Sequence, residues 1–257
     1  PQGLYWFTGS FHQKGKRPLS CCVEKHKNQR TLIINKKKMT KIVTTSLFSI
    51  LLSAVILSGN NGEGFISLFN GKDLSGWKTT GNWLPQKDGS LLIKPKPDQK
   101  GWQRYSDYLI SEQKFSDFIL ELEYKYPPKG NSGVFFRIGD PKNPVQTGIE
   151  CQILDSLGKA DDKMGHHDHG GIIKTIGPKT NMSKKAGEWN HMVVNCQGHH
   201  LRVALNGIEI INHWMDSPTE DKKLTGVGDR PLSGHIGLQD HGTPNNIYFR
   251  NIRIQKL

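Results

Sequence analysis

Long hydrophobic runs are scarce in this 257-residue sequence. The apolar stretch at 42–57 has 16 residues and includes four Ser or Thr, which is shorter than the ~20 apolar residues that a membrane-spanning helix needs. A sustained helical period of about 3.6 residues is also absent from any segment longer than about a dozen residues. The sequence therefore predicts neither a membrane-spanning helix nor a coiled coil.

Cysteine is sparse as well, with four in the chain. Cys21 and Cys22 lie far upstream, which leaves Cys151 and Cys196 in the part that alternates like a folded domain. Both occur in predicted strands beside apolar neighbours, and an oxidising compartment permits a bridge. The sequence leaves open one disulfide or two separate buried thiols, and it excludes a disulfide-rich scaffold.

Acidic residues are nearly missing from the first 64 positions, where Glu24 and Glu63 face 10 Lys or Arg. This segment carries +8 of the formal net charge of +12, and residues 65–257 carry only +4. Basic residues there form scattered pairs such as Lys184 and Lys185. Because binding to phosphates needs Lys and Arg clustered on a folded surface, we expect no nucleic-acid partner.

The basic residues 36–41, the apolar run 42–57 and the small polar residues 58–62 have the order of a secretory signal peptide. We assign the signal peptide to 39–62, beginning at Met39, and residues 1–38 to an upstream extension that is disordered or not native. An uncleaved N-terminal anchor is the alternative, because no A-x-A-like cleavage site is present. A secreted or periplasmic protein with no membrane span after cleavage is expected.

Short alternating runs, separated by many of the 28 Gly and 13 Pro, fill residues 65–257. Residues 118–124 alternate cleanly, and Asn206-Gly207 between 201–205 and 208–211 is typical of a type I′ hairpin turn. Further strands are predicted at 90–93, 132–138, 148–154, 189–195, 235–239 and 247–254. This pattern predicts an all-β fold, a two-sheet antiparallel sandwich.

Three of these strands carry unusual polar faces. Because side chains alternate along a strand, the residues that share an outward face are Glu150 and Gln152 on one strand, Asn131, Gly133, Phe135 and Arg137 on another, and His235, Gly237, Gln239 and His241 on a third. An ordinary solvated sheet is richer in Lys, Thr and Ser. The set favours a concave sheet that faces a ligand.

Seven motifs occur in order along the domain: FNGKDLSGW at 69–77, NSGVFFR at 131–137, GIECQILD at 148–155, GEWN at 187–190, LNG at 205–207, GLQDHG at 237–242 and FRNI at 249–252. Together they resemble the 3-keto-disaccharide hydrolase domain family over residues 65–257. The resemblance implies a concanavalin A-like jelly roll, exported by a bacterium and acting on glycosides oxidised at C3. It also implies a carbohydrate substrate and an upstream sugar oxidoreductase. Lys174 is a departure, since family members often have Tyr there.

A ketone at C3 acidifies the C2 proton, so that one base can remove it and the C1 substituent can leave by β-elimination before water adds. Glu150 is the candidate base or acid, with a solvated strand carboxylate as the alternative. Arg137 is a candidate for stabilising the enolate oxygen, and the alternative is a salt bridge to Glu150. His241 can exchange protons near neutral pH or stabilise a turn.

The predicted substrate-binding residues are Asn131, Gln152, Asp155, Gln239, His235 and Lys174. The amides suit sugar hydroxyls and suit buried sheet positions equally well, and Asp155 is either a site carboxylate or a turn acceptor. Among the tryptophans Trp77, Trp83, Trp102, Trp189 and Trp214, some can stack on a sugar or pack in the sheets.

The loop His166-His167-Asp168-His169 carries side chains that ligate transition metals. Contiguous loop residues rarely converge on one ion, so we predict no metal site there. No cofactor is predicted with certainty, and a divalent cation such as calcium, common in lectin-like sandwiches, is left open. The sequence thus predicts an exported hydrolase of 3-keto glycosides, and the alternative is a non-catalytic, lectin-like carbohydrate-binding module.

Overall fold

A computed structural model describes residues 64–219, 221–242 and 245–257. The predicted signal peptide at 39–62 and the extension at 1–38 lie outside the described residues. Within those three ranges, no helix is long and apolar enough to cross a membrane.

Thirteen strands and very little helix make up this part of the chain. The strands are β1 (Phe65–Ser67), β2 (Trp77–Lys78), β3 (Trp83–Pro85), β4 (Leu91–Ile93), β5 (Leu109–Phe115), β6 (Phe118–Lys125), β7 (Asn131–Ile138), β8 (Ile149–Leu154), β9 (Asn190–Gln197), β10 (His200–Leu205), β11 (Ile208–Trp214), β12 (Gly234–Leu238) and β13 (Ile247–Lys256). The helical elements are α1 (Pro144–Thr147) and two 3₁₀ turns, Tyr105–Asp107 and Asp161–Lys163.

The strands form two antiparallel sheets. The large sheet has the order β11-β10-β9-β6-β13-β4-β3, with β1 also paired to β13, and the small sheet has the order β2-β5-β12-β7-β8. The predicted all-β, two-sheet antiparallel jelly-roll sandwich is confirmed. The hairpin between β10 and β11 turns at Asn206 and Gly207, whose φ angles of 53° and 84° are the positive pair that a type I′ turn requires.

The core lies between the sheets and follows from the alternation read in the sequence. In β6, Phe118, Leu120, Leu122 and Tyr124 are fully buried, whereas the residues between them point outward. The small sheet supplies Val134, Phe136 and Ile153 to the same core. Burying apolar area of this kind contributes roughly 25 cal/mol per Å² to stability.

Cys151 and Cys196 are free and buried in this core. The sequence left open one disulfide or two separate buried thiols, and the structure has two separate buried thiols. Burial raises the pKa of both thiols, to about 12 for Cys196, so neither is a reactive thiolate near neutral pH.

A β-bulge interrupts β7 beside β12. His235 pairs with Ile138 and Gly237 with Phe135, so one residue of β12 faces two residues of β7. The second of those two, Arg137, has a φ of 52°. A bulge re-aims the side chains next to it, and the alternation used to place Arg137 fails at this point.

Arg137 consequently does not lie beside Glu150, and its predicted position in the site is wrong. Its side chain is fully buried. It donates to the carbonyl oxygens of Ser116 (2.9 Å) and Gly198 (2.6 Å) and to the carboxylate of Asp117 (3.0 Å). Arg137 therefore ties the β5–β6 turn to the β9–β10 turn, which is a structural role.

A second, smaller hydrophobic cluster covers part of the outer face of the small sheet, on the side opposite the core. We call it the outer cluster; it comprises Tyr108, Ile110, Phe135 and Ile138, with Tyr105 and Val145 packed against it. Tyr105 belongs to the 3₁₀ turn before β5, Tyr108 is the residue that follows this turn, and Val145 belongs to α1.

Candidate active site

An open cleft of about 300 Å³ lies on the outer face of the small sheet. We call it the Glu150 cleft. Its strand and strand-end residues are Asn131, Glu150, Gln152, Gln239 and His241. Helix α1 contributes Val145 and Gln146, and loops contribute Trp102, His167, Ile173 and Lys174. The structure therefore brings together six of the nine residues that the sequence singled out.

Glu150 is the acidic residue of this lining. It sits on β8 opposite Phe135 of β7, is only 9% exposed, and makes no ion pair with any residue described in the structure. Burial raises the pKa of the Glu150 carboxyl to about 8, and a hydrogen bond with the Gln239 side chain opposes part of that effect. A carboxylate with so high a pKa is a stronger base than an ordinary glutamate.

Gly133 makes room for that carboxyl. A Cβ atom built on Gly133 would overlap Glu150 Oε1 and would lie 2.9 Å from both Cδ and Cγ of the same side chain. The backbone of β7 is extended here and needs no unusual φ, so glycine is required by the close approach and not by conformation. The glycine of the NSGVFFR motif thus belongs to the site.

Amide groups surround Glu150 on its other sides. Gln239 donates from Nε2 to the Tyr108 hydroxyl (2.9 Å), which donates to the carbonyl oxygen of Trp102 (2.9 Å). Burial, reinforced by the Glu150 charge, raises the Tyr108 pKa well above its usual value, so the phenol stays protonated. Gln239 Oε1 is a buried acceptor without a hydrogen-bond partner in the described part of the chain.

Gln152 and Asn131 continue this arrangement. The Gln152 amide donates to Asn131 Oδ1 (3.1 Å). In its rotated orientation it donates instead to Glu150 Oε1 (3.3 Å) and to the Ser132 carbonyl (3.1 Å). The amide of Gln152 is therefore within hydrogen-bonding reach of the Glu150 carboxyl, and Asn131, Glu150 and Gln152 all line the cleft.

Lys174 lies on the rim, on a loop that is tightly held. Its φ is 63°, in the left-handed region that lysine seldom adopts. Its backbone N–H donates to His166 Nδ1 (3.0 Å), and its carbonyl accepts from the Gly226 N–H (2.9 Å). The ring of His167, also in the lining, packs 4.1 Å from that of His166. These contacts hold the backbone of Lys174 in place at the rim of the cleft.

His241 follows β12 in the GLQDHG motif. Burial lowers its pKa below the usual 6.5, so the imidazole is neutral near pH 7 and offers one donor and one acceptor. The preceding Asp240 accepts from Arg104 (2.9 Å) and from the Gly242 N–H (2.8 Å), which holds the segment in place.

The His166–His169 segment does not converge on a metal ion. Asp168 pairs with Lys159 (2.6 Å), while His169 is fully buried against the Tyr124 hydroxyl (2.5 Å) and the Ser183 hydroxyl (3.0 Å). Burial lowers the pKa of His169 to about 3. Within the described ranges, no group of three or more His, Cys, Asp or Glu is arranged to hold a metal.

Two further predicted residues lie outside the Glu150 cleft. Asp155 accepts from the Lys129 N–H (2.8 Å), which is the turn-acceptor alternative. His235 lines a different cleft, and its Nδ1 donates to the Ser111 carbonyl (2.7 Å). Neither contacts Glu150 in the structure.

Sequence reasoning missed Tyr108, Val145, Gln146 and Ile173, and it weighed His167 only as a metal ligand. They lie on loops, at a strand end or in the four-residue helix α1, where no period identifies a face. Trp102 was one of five tryptophans considered for stacking, and its exposed fraction of 37% at the cleft distinguishes it from the buried Trp77 and Trp83.

A third cleft, of about 500 Å³, lies on the outer face of the large sheet. Its carboxylates are already paired: Glu121 accepts from His191 (2.6 Å) and Arg253 (2.8 Å), and Glu123 accepts from Arg250 (2.6 Å). Hydrogen bonds from His191 and Arg253 lower the pKa of Glu121. We call these five residues the charged face; they offer no free base.

The chain is similar to a known domain family and to a characterised relative. The model of the 3-keto-alpha-glucoside-1,2-lyase-like domain matches residues 64–255. A 3-keto-disaccharide hydrolase from Bacteroides thetaiotaomicron is 26% identical over 233 residues, which cover 77% of this chain and 80% of that protein.

Two crystal structures of candidate glycosyl hydrolases from Parabacteroides distasonis share the fold. One is 28% identical with a TM-score of 0.62, covering 75% of this chain and 99% of the other. The second is 27% identical with a TM-score of 0.54, covering 76% and 84%. The expectation of a hydrolase-type enzyme is confirmed, and the chain belongs to the family of 3-keto-alpha-glucoside-1,2-lyase-like domains.

Proposed function

We propose that this enzyme cleaves glycosides oxidised at C3, by elimination followed by hydration, in the Glu150 cleft. The observation that carries the proposal is that the described lining of this cleft has a single carboxyl group, that of Glu150. Among the described lining residues Glu150 alone is acidic, whereas ordinary retaining and inverting glycosidases use two carboxyl groups at a set separation. Elimination beside a ketone needs one base.

In the first step Glu150 takes the proton from C2. The electrons of the broken C–H bond form the enolate of the C3 ketone, and the enolate then expels the C1 substituent, leaving a C1–C2 double bond conjugated to the restored ketone. Water adds at C1 and regenerates a 3-keto sugar. A base with a pKa of about 8 is suited to this proton transfer, because catalysis is most efficient when the pKa lies near the working pH.

The other groups have assigned roles. The Lys174 ammonium, the cationic side chain of the described lining, stabilises the negative charge that develops on the enolate oxygen. The proton that Glu150 takes from C2 passes to the leaving oxygen as the bond between C1 and that oxygen breaks. His241, whose ring is kept neutral by burial, then accepts a proton from the water that attacks C1, and the imidazolium so formed returns it to C2. Asn131, Gln152 and Gln239 bind the remaining hydroxyl groups, and Trp102 offers a ring face for stacking.

The proposal includes two features outside the described residues. The substrate must be oxidised at C3 before it arrives, so a sugar oxidoreductase acts upstream. Export depends on the signal peptide assigned to 39–62, and N-terminal sequencing of the mature protein checks it: a mature chain that begins near residue 63 supports export, and one that keeps residues 39–62 contradicts cleavage.

The test of the activity uses the purified protein, a panel of 3-keto glycosides and their unoxidised parents. We expect release of the leaving group from the oxidised compounds only, with transient absorbance of the conjugated enone. Glu150→Gln should lower kcat/KM by about 10²- to 10⁴-fold. The matched control is Glu123→Gln, which changes the same residue type on the charged face and should leave kcat/KM close to that of the wild type.

Other outcomes have definite meanings. If the Glu150→Gln variant keeps kcat/KM at the level of the wild type, the assignment of Glu150 as the base is wrong. Saturable glycan binding without product would overturn the activity and support the lectin-like alternative. A parallel reaction with chelator decides whether a divalent cation such as calcium takes part.

A further inference from the structure

Tyr108 is a fully buried residue of the outer cluster. Its ring packs against Phe135, with the two ring centres 5.5 Å apart, and Phe135 of β7 pairs with Glu150 of β8. A buried phenol hydroxyl needs hydrogen-bond partners inside the protein. Its two partners are the Trp102 carbonyl oxygen (2.9 Å) and the Gln239 side chain (2.9 Å). No step of the proposed reaction involves this hydroxyl.

We propose that Tyr108 is a positioning residue that acts through Gln239: its hydroxyl oxygen keeps the amide nitrogen of Gln239 turned toward the Glu150 carboxyl and leaves the amide oxygen for the substrate. The role rests on the proposed function, because a base needs a positioned neighbour only if the Glu150 cleft performs the cleavage. It adds a buried phenol to the groups that determine how readily Glu150 ionises.

The direction of each hydrogen bond around Tyr108 follows from the groups present. The Trp102 carbonyl oxygen can only accept, so the single hydroxyl proton of Tyr108 is donated to it. The Tyr108 oxygen is then left with lone pairs, and the group that faces it must be a donor. Only Nε2 of the Gln239 amide carries hydrogens, so Nε2 is the atom that contacts Tyr108. A backbone carbonyl therefore determines, through one phenol, which way a side-chain amide points.

The backbone of Gln239 is held by other contacts. Its N–H donates to the Gly133 carbonyl (3.0 Å), and its own carbonyl accepts from the Ser132 hydroxyl (2.8 Å). The residue is only 4% exposed, so its side chain is enclosed by protein. What these contacts leave undetermined is the orientation of the terminal amide, and the Tyr108 hydroxyl determines it.

The Gln239 amide also contacts Glu150. A hydrogen bond from the Gln239 side chain favours the ionised carboxyl and opposes the rise in the Glu150 pKa that burial causes. The amide nitrogen has two hydrogens, one for Tyr108 and one for the carboxylate. If the amide turned over, its oxygen would repel the ionised carboxyl and would accept a hydrogen bond from the protonated one. The Tyr108 hydroxyl therefore favours the form of Glu150 that takes a proton from C2.

The other end of the amide is available to the substrate. Gln239 Oε1 is a buried acceptor with no partner among the described residues, and Gln239 lines the Glu150 cleft. A buried acceptor without a partner is unfavourable, and a hydroxyl group of a bound ligand that donates to it removes that cost. One orientation of the amide thus directs its nitrogen to the base and its oxygen to the substrate.

Other titratable groups face the same cleft. His167 and Lys174 reach the lining from the loop after β8, and His241 reaches it from the segment after β12. Tyr108 itself stays protonated, because burial and the Glu150 charge raise its pKa. Removing the Tyr108 hydroxyl leaves the other three groups in place, so Tyr108→Phe separates the effect of the Gln239 amide from theirs.

The test is Tyr108→Phe in the full chain, which keeps the ring in the outer cluster and removes only the hydroxyl. The freed amide can turn its oxygen to the protonated carboxyl, so we expect the midpoint of the Glu150 titration to move up by about 0.5–1 pH unit. Carbon-13 NMR of the glutamate carboxyls measures it, with Glu150→Gln to assign the resonance.

The same variant should alter the pH dependence of activity on a 3-keto glycoside. We expect kcat/KM to fall about three- to tenfold at pH 7, because a smaller fraction of Glu150 is ionised there. The deficit should shrink toward about pH 9.5, once the uncatalysed rate is subtracted, because the base is then ionised in both proteins. A loss caused by a damaged fold would persist at every pH.

The matched control is Tyr105→Phe. It removes a hydroxyl from the neighbouring ring, whose centre lies 5.9 Å from that of Tyr108, and leaves the hydrogen bond between Gln239 and Tyr108 intact. Neither the Glu150 titration nor the pH profile should change. Gln239→Leu, which removes the amide, should move the titration up. Adding Tyr108→Phe to Gln239→Leu should move it no further, because Tyr108 acts through Gln239.

Two results would overturn the positioning role and leave the proposed function standing: a Glu150 titration that does not change in Tyr108→Phe, or effects of the two substitutions that add in the double variant. A wild type that cleaves no 3-keto glycoside would overturn the proposed function. The titration measured by NMR needs no turnover, so it would still confirm or overturn the effect of Tyr108 on Glu150.

Discussion

Glu150 and Glu121 are the same residue type, each on a strand and each on the side of its sheet that faces away from the core. Their surroundings differ. Glu150 is buried without an ionic partner, and its pKa rises to about 8, whereas Glu121 is held by His191 and Arg253 and its pKa falls below the usual 4.5. Desolvation dominates at the first and charged hydrogen bonds dominate at the second.

This difference separates a carboxyl that is suited to accept a proton from one that is already engaged in ion pairs. A carboxylate whose charge is already compensated has little tendency to take a proton from a substrate. A carboxylate that is desolvated and open to a cleft has a strong tendency to do so. The four predictions that follow test the contrast, beginning with the largest expected effect.

The first concerns stability against pH in Glu150→Gln. The folded protein binds a proton at Glu150 between pH 4.5 and about 8 where the unfolded chain does not, so the wild type loses stability as the pH rises through that window. The variant has no carboxyl at this position and so lacks this pH-dependent loss of stability. Its free energy of unfolding, relative to the wild type, should rise by up to about 4–5 kcal/mol between pH 4.5 and pH 9, measured by urea denaturation.

Glu121→Gln is the control for that experiment and should behave in the opposite sense. Because the folded pKa of Glu121 is lowered, its contribution to stability is present above the unfolded pKa and is lost as the pH falls through the folded pKa. The variant should therefore be less stable than the wild type at pH 7. A difference for Glu150→Gln that does not change with pH would contradict the raised pKa.

The second prediction concerns Gly133→Ala, which fills the space that the Glu150 carboxyl occupies. In Gly133→Ala the new methyl group overlaps Oε1 and displaces the carboxyl, and a shift of about 1 Å at a reacting group can lower the rate about 10²-fold. Steady-state kcat/KM on a 3-keto glycoside is the measurement. Gly139→Ala, just beyond the end of the same strand and with its nearest neighbour at 3.2 Å, should retain most activity; equal losses in both would argue against a specific contact.

The third prediction is a pH profile. If Glu150 is the base, kcat/KM rises as its carboxyl ionises, with a midpoint at about 8. We expect an increase of about tenfold from pH 7 to pH 9. The profile should be the same in Glu123→Gln. A profile that is flat above pH 6 would place the base elsewhere.

The smallest effect is expected on the charged face. The Glu121 and Arg253 side chains are 14% and 35% exposed, so solvent screens their attraction, and a double-mutant cycle of Glu121→Gln with Arg253→Gln should give a coupling energy of about 0.5–1 kcal/mol. Activity should not change. A coupling of several kcal/mol, or a loss of turnover, would show that the charged face does more than stabilise the large sheet.

Regular alternation explains what could be predicted from the sequence. It identified β6, β8 and the β10–β11 hairpin, and it placed Glu150 and Gln152 on an outward face, because a strand without a bulge leaves no freedom in the direction of its side chains. The same rule failed at Arg137, where a bulge adds one residue to the count. Nothing in the letters NSGVFFR marks that bulge.

Loops were the other source of error. Tyr108, which sequence reasoning missed, owes its position to a contact with a distant segment, the hydrogen bond that its hydroxyl accepts from Gln239. Alternation also could not separate His235 from Gln239, which share a face but lie in different clefts. The alternation of side chains along a strand shows on which side of the sheet a residue lies. It gives no information about which other segments of the chain cover that side chain.

The position of β13 has a consequence for how the protein is made. This strand, Ile247–Lys256, lies inside the large sheet, paired with β6 on one side and with β4 and β1 on the other. During synthesis, β6 can pair with β9 and β4 with β3, but the edges of β6, β4 and β1 that pair with β13 stay open until residue 256 has left the ribosome. The nascent chain therefore emerges with the centre of its larger sheet missing, so stable folding follows translation of the whole domain.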